Sequence, residues 1–263
     1  MVKKSVVLLI LSLFIVGVLV GCSSETAEET TYDKIMDSGE MTFAMTGAYP
    51  PFNYIDEEGE LTGFDIEIAN AIAEKMGVEA VPQTAEWDGI VGGLTGGRFD
   101  MIIGSMAITE DRLEEVNFTN PYYYDGAQFF AKTGSGLSSI EDLENGKVGV
   151  VTGTTFHDYL KDLDNIDEIL QFSSDVDNFM SVEQGRADGL VTSNVVGARA
   201  PIDYDVDIEP VGGLLYFEDI AIAIRKEDTK LLEEVNKALQ TIIDDGTYEE
   251  ISNQWFGMNI LEK

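Results

Sequence analysis

The sequence predicts an α/β protein of two similar lobes that share a crevice, and three observations carry that expectation. Short apolar runs alternate with amphipathic helical stretches along the chain beyond residue 40. The pattern Gly97-Arg98-Phe99-Asp100 returns as Gly185-Arg186-Ala187-Asp188, each time closing a helix and opening a strand. Each of those strands runs into a polar loop, so both halves present strand C-terminal ends, where open α/β sheets hold ligands. Two lobes imply a hinge.

Taken in order, the first residues read as a secretory signal. Lys3 and Lys4 precede the apolar run VVLLILSLFIVGVLV, which leads into Gly21 and Cys22, and the run is shorter than the roughly 18 residues at which a membrane span becomes the default. Residues 1–21 are therefore assigned to a signal peptide. Residues 22–37 are assigned to a disordered tether, because SSETAEETTYD is polar, acidic and poor in groups that could be buried. Met41–Met45 then reads as a strand and Phe64–Met76 as a helix with apolar residues at three-and-four spacing, closed by Gly77. Val78–Val81 follows as a strand, Trp87–Thr95 as a helix and Phe99–Ile103 as a strand. After Tyr122-Tyr123-Tyr124 a second cycle starts, with strands at Ala127–Ala131 and Lys147–Val151, helices at Thr155–Leu163 and Val176–Gln184, and a strand at Ala187–Val191. Asp219–Ile224 completes the strands and Leu231–Asp244 is an amphipathic helix.

Charge and composition narrow the function. The chain holds 49 acidic and 16 basic residues, a net charge of −33, which becomes about −35 if the two signal lysines are removed. That field repels nucleic acid and anionic lipid, and it suits a surface exposed to salty or alkaline surroundings. A positive site for an anion has to be built locally. With one cysteine and one histidine, His157, no transition-metal cluster is expected. The run Asp56-Glu57-Glu58-Gly59-Glu60 lacks calcium-loop spacing and reads as a solvated hairpin turn. Gly92-Gly93 and Gly96-Gly97 end a helix and do not open one, so no dinucleotide fingerprint is present. No cofactor, metal or catalytic residue is expected.

The stretch GSMAITEDR, residues 104–112, supplies the candidate anion site. An apolar strand runs into Gly104 and Ser105, Thr109 is a good N-cap, and Arg112 follows in the first turn. Backbone N–H groups, a hydroxyl and a guanidinium fork can converge there on one carboxylate.

Further motifs occur in order: Tyr49-Pro50-Pro51-Phe52, Leu61-Thr62-Gly63-Phe64-Asp65-Ile66, Trp87-Asp88-Gly89-Ile90, Phe118-Thr119-Asn120-Pro121-Tyr122-Tyr123, Val151-Thr152-Gly153-Thr154-Thr155, Arg225-Lys226-Glu227-Asp228 and Asp245-Gly246-Thr247-Tyr248. With them the sequence resembles the family 3 bacterial extracellular solute-binding proteins, which deliver polar amino acids to ABC transporters. The resemblance implies a two-lobed, type II periplasmic-binding-protein-like fold, with lobes joined by two hinge strands and the ligand in the cleft. Residues 38–124 plus 218–263 would form one lobe and 125–217 the other. Arg112 would grip a ligand carboxylate, helped by Thr109, by the loop Gly104, Ser105, Met106 and Ala107, and from the second lobe by Thr152, Thr154 and Thr155. Tyr49, Phe52 and Trp87 would form an aromatic wall.

Two positions depart from the family. Ser193 stands where members usually carry the aspartate that meets the ligand ammonium, which leaves either Glu86, Glu218 and Asp219 as candidate replacements or a ligand that is not an ordinary α-amino acid. Thr46 stands where members specific for basic amino acids often have an acid, which points away from lysine or arginine. Leu19-Val20-Gly21-Cys22 resembles a lipobox, implying lipidation at Cys22, extracytoplasmic anchoring to the cell membrane and partnership, as a monomer, with permease and ATPase subunits. A dehydratase-like enzyme on the same fold and a ligand-sensing subunit for a membrane receptor are the competing functions.

Overall fold

The computed structural model describes residues 29–261, so the signal peptide, Cys22 and the tether up to residue 28 lie outside the described residues. The first element is a helix, α1 (Thr31–Ser38), with Thr30 and Asp33 in a reciprocal capping box and Ile35 buried. The tether assigned through residue 37 is thus corrected: a cap and one buried isoleucine suffice to dock a segment whose composition reads as unstructured.

The first half of the chain then builds β1 (Glu40–Met45), a small antiparallel sheet of β2 (Ala48–Tyr49), β3 (Asn53–Ile55) and β4 (Leu61–Thr62), and α2 (Phe64–Met76). The acidic turn between β3 and β4 is held by Asp56, whose Oδ1 accepts the N–H groups of Glu58 and Glu60 at 3.0 and 2.8 Å. Next come β5 (Glu79–Thr84), a 3-10 turn at Trp87–Gly89, α3 (Ile90–Thr95), β6 (Met101–Ala107), α4 (Glu110–Glu115) and β7 (Val116–Phe118). Trp87–Thr95 is therefore not one helix. The strand expected at Phe99–Ile103 starts later and runs on through Ala107.

Two long strands cross between the halves, β8 (Tyr123–Lys132) and β12 (Ile208–Arg225), paired antiparallel over most of β8. Between them the second half supplies β9 (Gly146–Val151), α5 (Thr155–Lys161), β10 (Ile166–Phe172), α6 (Asp175–Glu183), β11 (Gly189–Ser193) and α7 (Asn194–Tyr204). Helices α8 (Thr229–Asp244) and α9 (Thr247–Phe256) pack back on α2. The sheet order is β10-β9-β11-β8-β12-β6-β1-β5, so each lobe is three parallel strands followed by a crossing strand.

The recurring Gly-Arg-x-Asp has one job in both lobes. The Asp100 N–H donates to the Thr42 carbonyl at 3.0 Å, and the Thr42 N–H donates to the Asp100 carboxylate at 2.9 Å. Asp188 does the same for Lys147 at 2.8 Å. Each aspartate pins the start of the central parallel strand beside it. Apolar residues fill a large core under α2, α8 and α9, a second under β8, β9 and α5, and a third under β1, β6 and α3. His157 is buried at the start of α5.

Candidate functional site

Where the lobes meet, residues of both halves line a cavity of about 70 Å³, and clefts between lobes are common places for small ligands. One lobe gives it Tyr49, Trp87, Ser105 and Arg112, the other Thr154, Thr155 and Asp175, and the crossing strands Tyr123, Asp125 and Glu218.

Arg112 is placed by its local sequence. β6 ends at Ala107, Thr109 caps α4 by accepting the Arg112 N–H at 3.2 Å, and the side chain folds back over the strand end. Its Nη1 donates to the Ala107 carbonyl at 2.8 Å and its Nη2 reaches the Gly153 carbonyl of the other lobe at 3.3 Å. The guanidinium carbon lies 5.5 Å from the Trp87 ring centroid, within cation–π range. Trp87 Nε1 donates to the same Gly153 oxygen at 3.2 Å. Gly153 sits at φ +74°, and a Cβ there would come 3.3 Å from Asp88, so the loop that receives both donors needs glycine. Burial pulls the guanidinium below the usual arginine value, and Glu218 is the main charge acting the other way.

Three buried carboxylates line the same cavity. Asp125 and Glu218 are direct cross-strand partners on β8 and β12, a like-charge pairing that costs stability unless something positive or a proton sits with it. Asp125 accepts the Ser193 hydroxyl and the Gly126 N–H, and burial pushes it up to about 6. Glu218 accepts the Thr155 hydroxyl, and burial together with Asp125 pushes it up to about 7. Asp175, the first residue of α6, is pushed up to about 6 by burial; Thr192 and Asn178 soften the rise. Its Oδ1 nevertheless completes no hydrogen bond with any described residue.

These acids set a pH dependence. In the unfolded chain they titrate near about pH 4, so the folded state holds extra protons between there and the raised values near 6 and 7. Their contribution to stability is full below about pH 4 and is lost as pH rises through those values. Asp125→Asn and Glu218→Gln are each expected to reduce that loss and to raise Tm above wild type at about pH 8. Melting curves of ligand-free protein across this range check it, and equal pH slopes in variants and wild type would contradict it.

Of the residues expected at the site from sequence, Tyr49, Trp87, Gly104, Ser105, Ala107, Arg112, Thr154, Thr155 and the candidate Glu218 border the cavity. Several use their polar groups elsewhere. Ser105, at φ 59°, turns its N–H to the Tyr122 hydroxyl at 3.1 Å and its own hydroxyl to Asp65 at 3.0 Å. Asp65 also accepts from Asn53 and Tyr122 at 2.7 and 2.6 Å, which closes a buried network beneath the strand end. The Thr154 hydroxyl donates to Val151 O at 2.8 Å and accepts the His157 N–H.

The other expected residues do not border the cavity. Phe52 is fully buried among Tyr49, Phe64, Tyr123 and Phe256, so it is core and not wall. Met106 packs inward from β6 with Ile90 and Leu94. Thr109 is spent on capping, and the Thr152 N–H pairs with Phe172 O. Glu86 is exposed on a neighbouring groove, and Asp219, next to Glu218 on an alternating strand, is not on the wall. Ser193 caps α7 by accepting the Val196 N–H and stands behind Asp125.

Asp125 and Asp175 were not singled out in the sequence. Asp125 is the one acid in a strand charged otherwise only at its last residue, Lys132, a signal that could have found it. Asp175 follows the cap Ser174 and precedes Asp177, and so looks like an ordinary first-turn acid.

Comparison with known proteins gives a consistent result. The family model of bacterial extracellular solute-binding proteins, family 3, matches residues 41–258. The chain is 28% identical over 248 residues to the L-cystine-binding protein TcyJ of Escherichia coli (strain K12), covering 93% of each. It is 32% identical over 220 residues to ABC transporter arginine-binding protein 1 of the same strain, covering 82% of this chain and 90% of that one. The crystal structure of the ancestral amino acid-binding protein AncCDT-1, a precursor of cyclohexadienyl dehydratase, matches with TM-score 0.80 and 34% identity over 86% of this chain and all of that one (100%).

Proposed function

Because this chain belongs to the bacterial extracellular solute-binding proteins of family 3, we propose that it captures a small amino acid or related carboxylate by closing two lobes around it and hands it to an ABC importer. The observation that carries the reading is the opposition, across one interlobe cavity, of Arg112 to the cross-strand pair Asp125 and Glu218. The ligand carboxylate meets the guanidinium fork. Its ammonium meets Asp125, so the countercharge absent from Ser193 comes from β8, and the serine becomes the donor that orients it. A ligand touching Arg112 on one lobe and the Gly153–Thr155 loop on the other favours the closed state through contacts the open state lacks. The strands β8 and β12 are the connections about which residues 38–124 plus 218–263 turn against 125–217.

Extracytoplasmic location fits the family, and no helix among the described residues is long and apolar enough to cross a membrane. Lipidation of Cys22 would hold the chain at the membrane, where permease and ATPase subunits receive the ligand. Retention of the wild type, but not of Cys22→Ala, in a membrane fraction is the check. Capture itself is tested by isothermal titration with α-amino acids and their 2-hydroxy-acid analogues, which keep the carboxylate and lose the ammonium. Wild type is expected to prefer the amino acids by about 10-fold or more, and Asp125→Asn to erase that preference. Equal binding of both series by wild type would remove Asp125 from the role given it.

A further inference from the structure

The charges around the cavity do not balance. Its lining carries one cation, Arg112, and three carboxylates, Asp125, Asp175 and Glu218. Among the described residues none of the three forms a salt bridge. The carboxylates are spread over the wall: no group of three acidic, cysteine or histidine side chains among the described residues could hold one metal ion. They must therefore be met separately, by cations or by protons.

An amino acid bound as proposed above brings its carboxylate to Arg112 and its ammonium to the Asp125–Glu218 pair. That leaves Asp175. Its side chain is 7% exposed, borders the cavity, and ends in an oxygen without a hydrogen-bond partner. Arg112 acts on Glu218 and not on Asp175, and among the described residues no cation is among the groups that act on Asp175. The helix it begins, α6, packs against β2, so the carboxylate stands near Tyr49, on the wall that also carries Thr46 and Ser174.

We infer that Asp175 forms a second cation subsite and that the ligand is an α-amino acid whose side chain ends in a positive charge. This rests on the proposed amino-acid capture. It reverses the reading of Thr46 as a mark against basic ligands, because the acid needed for them is supplied from α6 on the opposite lobe.

The test is isothermal titration of the full-length chain in detergent micelles with pairs matched in size: arginine against citrulline and lysine against norleucine. Wild type is expected to bind the charged member of each pair about 30-fold tighter or more. Asp175→Asn is expected to lose that preference while the affinity for the neutral member is nearly unchanged. Loss of a buried unpaired carboxylate should leave the variant at least as heat-stable as wild type at pH 8, which a melting curve verifies. If wild type binds the neutral member as tightly as the charged one, or if Asp175→Asn weakens both members equally, the second subsite is overturned while amino-acid capture stands. If no member of either pair binds, the cationic ligand is overturned, and capture stands or falls on the titration with α-amino acids and their 2-hydroxy-acid analogues.

Discussion

Arg112→Ala is expected to weaken binding of every carboxylate ligand by about 2–5 kcal/mol, a fall of about 30-fold to several thousand-fold. The cause is double. The fork that meets the carboxylate is lost, and Glu218, which the guanidinium holds down against burial and Asp125, loses its one protein cation. Contact with Gly153 across the cleft goes as well. Arg112→Lys restores a charge but neither the planar fork nor the stacking on Trp87, so it should recover only part of the loss. Isothermal titration of the three proteins decides the matter, and a ligand indifferent to both substitutions would remove Arg112 from the site.

Phe52→Ala is expected to give the largest loss of stability, about 3–5 kcal/mol, or a fall in Tm of about 6–20 °C for a chain of this size. The ring is fully buried, stacked 4.7 Å from Tyr123 and 5.4 Å from Phe256 between centroids. Its removal leaves a cavity that the surrounding aromatic side chains cannot close. Thermal unfolding of the ligand-free variant measures it. A variant as stable as wild type that binds ligand poorly would return Phe52 to the cavity wall.

Phe52 also shows why some of the site escaped the sequence. Its place was decided by Phe64, Tyr123 and Phe256, which arrive from three other segments. Arg112, in contrast, was legible because strand end, cap and first helical turn are contiguous. The same division runs through the fold. Helix α2 matched its expected bounds because apolar spacing and Gly77 are local signals. Helix α7 was missed because Gly197 and Pro201 interrupt its period, and the first half of β12 because Gly212-Gly213 break its alternation. The Asp125–Glu218 pairing is set by the register of two strands far apart in the chain, which no window of sequence contains.

That pairing places charge on the axis of the molecule. β8 and β12 are the fulcrum, whereas Arg112 and the Gly153 loop ride on opposite jaws. In the proposed opening, Asp125 and Glu218 stay cross-strand neighbours, whereas the arginine loses its Gly153 contact. An amino acid bound as proposed would therefore be held by its positive end at the point of least travel and by its negative end at the point of greater travel. Release would then begin at the carboxylate, with the ammonium leaving last.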